Sequence, residues 1–169
     1  KTETEIKELE ARLSALKIDL IRLAAEQNFE PTVTYPADIT ILHSSKVAKS
    51  IELFRIRQIS LDNRISVQNN IVEQKIQEMN EIQQRVNKNK KYLEVLIEKI
   101  KISESLLKDN LSNRLDHLKY LEQKIGTEGK ISEDFWSLKK SNTAIKEAKL
   151  RILALKDAHK EHALTEYNE

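Results

Sequence analysis

Apolar residues recur at every seventh position from Ile65 to Leu107: Ile65, Val72, Met79, Val86, Leu93, Ile100 and Leu107. A strict heptad over that length belongs to a helix that buries one narrow seam against a partner helix. Neither Pro nor Gly interrupts it, so the stretch reads as one helix, roughly 60 Å long at about 1.5 Å per residue. Such a helix leaves few folds open. Only two Gly and two Pro among 169 residues, with 33% charged residues, fit a long-helix protein rather than a compact globule. The core is then a thin seam, and stability comes from length and pairing.

Charge and composition exclude several roles. The 29 basic and 27 acidic residues are interspersed and leave a net charge of +2. The run Asn87-Lys88-Asn89-Lys90-Lys91 is basic but lacks interleaved aromatics, so it reads as a solvated helix face and nucleic acid is not an expected partner. The chain has no Cys, which removes disulfides and thiol chemistry and suits an oxidising compartment without fixing it. With no run of about 18 apolar residues, direct insertion of this segment into a membrane is not expected. The chain opens at Lys1 without Met and enters a helical pattern at once, so it reads as a piece of a larger protein. No Gly-rich phosphate loop or pocket-forming α/β pattern is present, so neither catalysis nor a cofactor is expected.

The pattern divides into three long helices. The first spans about 2–27, with a seam of Ile6, Leu9, Leu13, Leu16, Leu20 and Leu23 and with Glu3, Glu5 and Glu8 near its start. A break at 28–37 holds Pro31 and Pro36, with Phe29 and Tyr35 placed to pack against the helices. Asp38, Ser44 and Ser45 are candidate caps for the second helix. That helix runs from about 40 to 108, its seam continuing backwards through Leu61, Phe54 and Ile51. Polar Gln68, Lys75, Asn89 and Ser103 accompany the stripe and mark a half-wet seam between only two helices.

The third helix spans about 114–167. Its early seam reads Leu118, Leu121, Ile125 and its later seam Ile131, Leu138, Ile145, Ile152, with Ala148 and Leu155 beside it. The halves differ in phase by about one residue, and Gly126 and Gly129 lie at the junction, where a stammer or kink would absorb the slip. A turn at Gly126–Gly129 is the rival placement of the chain reversal. The turn at 109–113 is preferred: Asn110 tolerates the left-handed conformation that ends a helix, Ser112 or Asn113 can cap the next, and Asp116 comes early in it. Phe135 is expected in or beside the seam. Trp136 is expected on a flank, covering a neighbouring helix of the same chain or, alternatively, a neighbouring subunit. His159, His162 and Glu166 share a face with spacing that suits a metal, but His near a helix C-terminus is ordinarily solvated, and no metal site is expected.

The stretch Leu106-Leu107-Lys108-Asp109-Asn110-Leu111-Ser112-Asn113-Arg114-Leu115-Asp116-His117-Leu118-Lys119-Tyr120-Leu121-Glu122 resembles the hairpin tip of the membrane fusion proteins, or periplasmic adaptors, of type I secretion systems (the hemolysin D type). Asn110 stands where that family usually has Gly, and Ser112-Asn113 replaces Val-Ser, while Leu111 and Arg114 keep their places. Gln123 to Ile131, and Ala144 to Leu155, resemble later parts of the family's returning helix. A Leu-heptad helix, a Phe-x-Pro-type break and a long helix come in the family's order.

The resemblance implies an all-α fold, a long antiparallel coiled-coil hairpin with the first helix packed near its base, read as a single domain over 1–169. It also implies a periplasmic segment of a protein anchored in the inner membrane. Its partners would be a TolC-type outer-membrane channel, an inner-membrane ABC exporter and further copies of itself, six being the usual number. The contact residues at the tip would be Asn110, Leu111, Ser112, Asn113, Arg114 and Leu118. Arg114 can offer a two-pronged donor to a carboxylate or carbonyl cluster, and Leu111 and Leu118 can fill apolar pockets beside it. In the alternative reading the chain is a structural or tethering coiled coil, a parallel dimer with no tip at 109–113 and no export role; the plainer reading of the tip itself is that Leu118 packs inside the hairpin and Arg114 is solvated.

Overall fold

The computed structural model describes residues 2–169. Its helices are α1 (Thr2–Gln27), α2 (Ala37–Leu42), α3 (Ser44–Lys108) and α4 (Arg114–Asn168), and no strand occurs among the described residues. The chain divides into two compact units. The first unit takes the chain up to Asn69 together with Lys149–Glu169, and the second takes Asn70–Ala148.

In the second unit α3 and α4 pair antiparallel through the stripe anticipated from α3. Val72, Val86 and Ile100 are buried, and Met79, Leu93 and Leu107 are half-buried. Leu96, a companion position, is fully enclosed. The polar companions lie in the seam as well, with Ser103 buried and Lys75 and Asn89 half-buried.

On α4 the leucines mislead. The shielded positions run Tyr120, Lys124, Thr127, Ile131, Asp134, Leu138, Ser141, Ile145 and Ala148, a single unbroken heptad phase. Of the anticipated early seam Leu121 is half-buried, while Leu118 and Ile125 are 48% and 70% exposed. Thus the seam phase does not slip at Gly126–Gly129 and the rival chain reversal does not occur there: both glycines sit inside a continuous helix where an added Cβ would meet nothing within 4 Å. The reason is chemical. Thr127 and Asp134 hold seam positions because their polar atoms are satisfied there. The Thr127 hydroxyl donates to the Gln123 carbonyl at 2.8 Å, and Arg85 donates to the Asp134 carboxylate. A satisfied polar group costs far less to bury than an orphaned one.

Phe135 lies beside the seam rather than in it, lining a cleft with Met79 and Leu138. It and Trp136 are both exposed, edge to face at 6.1 Å, with the Lys139 ammonium 4.8 and 4.7 Å from the two ring centroids.

In the first unit α1 lies beside the start of α3 and runs in the same direction. The Lys46 ammonium reaches the Ala11 carbonyl at 3.4 Å, and further along Arg57 meets Glu26 at 3.1 Å. The chain returns between these helices through the Pro segment. α1 ends with Phe29 at φ 53, its N–H on the Glu26 carbonyl (3.2 Å) and the Glu30 N–H on the Ala25 carbonyl (3.0 Å). This is a Schellman closure, with Pro31 preventing continuation. Tyr35 then bonds Ser50 at 2.6 Å, and its burial raises the phenol pKa against that bond. Asp38 falls in the first turn of the short α2 and makes no side-chain cap. His43 breaks α2 from α3, so the long helix starts at Ser44.

The first helix packs with the others, but by a different face. Ile18, Arg22, Leu23, Ala25 and Glu26 are buried, whereas Ile6, Leu9, Leu13 and Leu16 are each more than half exposed. Of the anticipated leucine seam only Leu23 is buried. An ionic cluster fastens the three helices. Arg22 reaches Glu26 at 2.8 Å and Glu166 at 3.5 Å, and Arg57 reaches Glu166 at 2.9 Å.

A change of heptad phase does occur, in this unit. Shielded positions on α3 run Phe54, Arg57, Leu61, Ile65, Gln68, and on α4 Ile152, Leu155, His159, Ala163, Glu166. Each row contains two successive steps of four, a stutter that locally unwinds the supercoil. Ile51, expected in the seam, is exposed, while Val47 and Ser50 are buried in its place. A cavity of 390 Å³ opens here, lined by Phe29, Phe54, Leu61, Ile65, Lys156 and His159 among others.

Candidate functional site: the hairpin tip

The tip is made by two helix ends that each satisfy their own backbone. α3 closes with Asn110 at φ 56, its N–H donating to the Leu107 carbonyl at 3.1 Å and the Leu111 N–H to the Leu106 carbonyl at 2.8 Å. Asn is one of the few side chains that tolerate this left-handed position. Lys108 sits in the last turn, where a cation suits the helix dipole. Asn113 opens α4, its Oδ1 accepting the Leu115 N–H at 2.9 Å, and Asp116 follows in the first turn.

A cross-brace lies immediately behind the turn. His117 Nδ1 meets the buried Ser103 hydroxyl at 3.0 Å. One turn further, the Lys99 ammonium lies 5.8 Å from the Tyr120 ring centroid. A cleft of 180 Å³ between these contacts is lined by Ile102, Leu106, Ser112 and Asp116 among others.

Asn110, Leu111, Asn113, Arg114 and Leu118 are exposed and Ser112 is half-buried. Leu111 is 73% exposed, and Leu118 projects outward rather than into the hairpin. Leu115 is 70% exposed, and the sequence pattern alone does not single it out. The available signal is its position four residues after Leu111, in a first helical turn whose inward positions belong to His117 and Tyr120. Braced helix ends therefore hold out three leucines and a free-standing Arg114. Such a surface has the chemistry for apolar and charge-assisted contact.

The other titratable cluster is structural. Glu166 accepts from Arg57 and lies 3.3 Å from His162 Nδ1, while the ring of His159 lies 5.8 Å from that of Phe29. Arg57's hydrogen bond holds the Glu166 carboxyl below the usual range, against a smaller opposing effect of burial. No group of three or more metal-ligating side chains converges among the described residues.

A family model described as AprE, long alpha-helical hairpin, matches residues 2–169. Among solved structures, the chain is similar to the crystal structure of the soluble domain of LipC, a membrane fusion protein of a type I secretion system. The TM-score is 0.89 at 16% identity, covering 98% of this chain and 80% of that one. At that identity the likeness shows the fold. No curated protein matches the chain.

Proposed function

Because this chain belongs to the AprE long alpha-helical hairpin family, we propose that it is the hairpin of a type I secretion membrane fusion adaptor that presents residues 109–118 to an outer-membrane channel. The channel is of the TolC type, the energy source is an inner-membrane ABC exporter, and several copies act together in the periplasm. The hairpin's own work is mechanical: it spans distance and holds out a recognition surface. ATP hydrolysis belongs to the exporter. Among the described residues no helix is long and apolar enough to cross a membrane, so in this reading anchoring falls to other parts of the adaptor.

The observation that carries the proposal is the tip itself. Leu111 and Leu115 are at least 70% exposed beside an exposed Arg114, on helix ends whose backbone groups are closed by Asn110 and Asn113. Exposed apolar side chains on a rigid mount cost little to order on binding. The test is export of substrate by cells carrying the adaptor with Leu111→Asp and Arg114→Glu. Export is expected to fall at least tenfold with adaptor levels unchanged; undiminished export removes the tip from the mechanism.

A further inference from the structure

In the first unit α1 ends while α3 and α4 go on, so the packing steps from three helices to two. Arg57 meets Glu26 in the last turn of α1. Leu61 and Ile65 follow one and two turns later on α3, past the end of α1 and within the stutter. The 390 Å³ cavity is the space left at that step. Its apolar floor is the buried Phe54 with Leu61 and Ile65, and its walls include the rings of Phe29 and His159, tilted by 31° with centroids 5.8 Å apart. Phe29 is fixed by the backbone as the left-handed residue that closes α1. The volume lies in the range of about 300–1,000 Å³ that holds small organic ligands.

The charges around the cavity favour a cation. The C-terminal end of α1 lies on its lining, and such an end carries the negative pole of the helix dipole. No basic residue in the last turn of α1 offsets that pole. Arg22 and Arg57 already take the two oxygens of Glu26. Glu30 and Asp62, also on the lining, are exposed and enter none of the ion pairs among the described residues of this unit. Lys156 is the single Lys or Arg on the lining, and it too is exposed. Two unengaged carboxylates and a helix C-terminus outweigh it, and aromatic ring faces attract a cation as well.

We propose that this cavity binds an organic cation with an apolar body, of the class of a quaternary ammonium carrying an aromatic ring. The body rests on Phe54, Leu61 and Ile65, and the charged head is met by Glu30, Asp62 and the rings of Phe29 and His159. A bare metal ion finds no converging set of three ligating side chains among the described residues and would leave the apolar floor unused. An anion of the same shape would meet two carboxylates. Bound at the step, the ligand joins the end of α1 to α3 and α4 and so stabilises the first unit. Every lining residue belongs to that unit and none to the tip, so this site does not depend on the adaptor reading.

The test is isothermal titration calorimetry of the chain with two probes that share one ring system, (2-naphthylmethyl)trimethylammonium and 2-naphthylmethanesulfonate. The ammonium is expected to saturate one site per chain, with a Kd of about 1 mM or below, and the sulfonate to bind at least tenfold more weakly. Glu30→Lys with Asp62→Lys should reverse that order. The same reversal at exposed Glu94 and Glu98 of the second unit, which alters net charge equally, should leave the ammonium within about twofold of its parent affinity. Leu61→Trp fills the cavity and should abolish ammonium binding. Circular dichroism melts check that each variant is folded. The two lysine replacements stand at exposed positions, so they decide the matter even where the Trp variant fails to fold. No saturable binding of the ammonium overturns the proposal. So does a sulfonate that binds as tightly, or an ammonium affinity unchanged by Glu30→Lys with Asp62→Lys.

Discussion

Arg85 grips Asp134 with two donors, its Nε 2.8 Å from one carboxylate oxygen and an Nη on the other. The two partners are not equivalent. Asp134 occupies a seam position with its side chain 9% exposed, while that of Arg85 is 54% exposed. Arg85→Ala strands a buried carboxylate, whereas Asp134→Ala leaves a guanidinium that water can solvate. Arg85→Ala is therefore expected to lower the melting temperature more than Asp134→Ala. Circular dichroism melts of the two variants decide it, and the opposite order would mean that the bridge does not hold the seam.

The carboxylates of both units predict acid sensitivity of one sign. Hydrogen bonds from Arg57 and from Arg85 lower the pKa values of Glu166 and Asp134, outweighing the opposite effect of burial. A folded-state pKa below the unfolded one contributes stability above the unfolded value, and loses it as pH falls through the folded value. The loss should therefore begin below about pH 4.3, the ordinary Glu range. Glu166→Gln cannot titrate, so its stability should change less than the parent's across that acid window. Urea midpoints measured in acid steps test this; parallel curves for parent and variant would show that the cluster is not linked to folding.

Burial separates two sets of leucines that the sequence treats alike. Leu96 is fully enclosed, and Leu96→Ala is expected to cost about 2–5 kcal/mol through lost burial and the cavity left behind. Leu9 and Leu16 are 66% and 52% exposed, so Leu9→Ala and Leu16→Ala should each stay within about 0.5 kcal/mol. Denaturant unfolding of the three variants compares them directly.

The difference between those sets marks how far the sequence could be read. The stripe from Ile65 to Leu107 announced its burial because hydrophobic period and seam coincide, and the tip was visible in Asn110 and Asn113 because turn chemistry is local. The early seam of α4 was not legible. Thr127 and Asp134 are buried only because Gln123 and Arg85 satisfy them, and Arg85 is distant in sequence. Leu118 and Ile125 consequently look like seam residues and are not. The leucine row of α1 follows a perfect heptad, yet α1 packs through Ile18, Arg22 and Ala25, because the ionic cluster with Arg57 and Glu166 rotates the helix to that face. Such long-range polar pairing has no periodic signature. Among the tip residues, position was readable and the exposure of Leu115 was not.

The two glycines of α4 make a separate prediction. Both sit within continuous helix, with open space where a Cβ would stand. Gly at such a position costs about 0.8–1.0 kcal/mol relative to Ala. Gly126→Ala and Gly129→Ala should therefore each stabilise the chain by about that amount, seen as a higher unfolding midpoint. A loss of stability would show that the helix bends or opens at these residues.

The tip gives the sharpest test of the chain reversal. Asn110 is held at φ 56, a region that Gly enters freely and a β-branched residue enters only under strain. Asn110→Gly should leave stability unchanged or slightly raised, and Asn110→Val should lower it. Asn113→Ala removes the acceptor for the Leu115 N–H and should cost about 1 kcal/mol. Chemical unfolding ranks the three, and hydrogen exchange at the first turn of α4 locates the effect. Faster exchange confined to that turn in Asn113→Ala identifies the cap as its cause. An Asn110→Val variant as stable as the parent would mean that the backbone does not reverse through the left-handed residue, and the rigid mount on which Leu111, Leu115 and Arg114 depend would be lost with it.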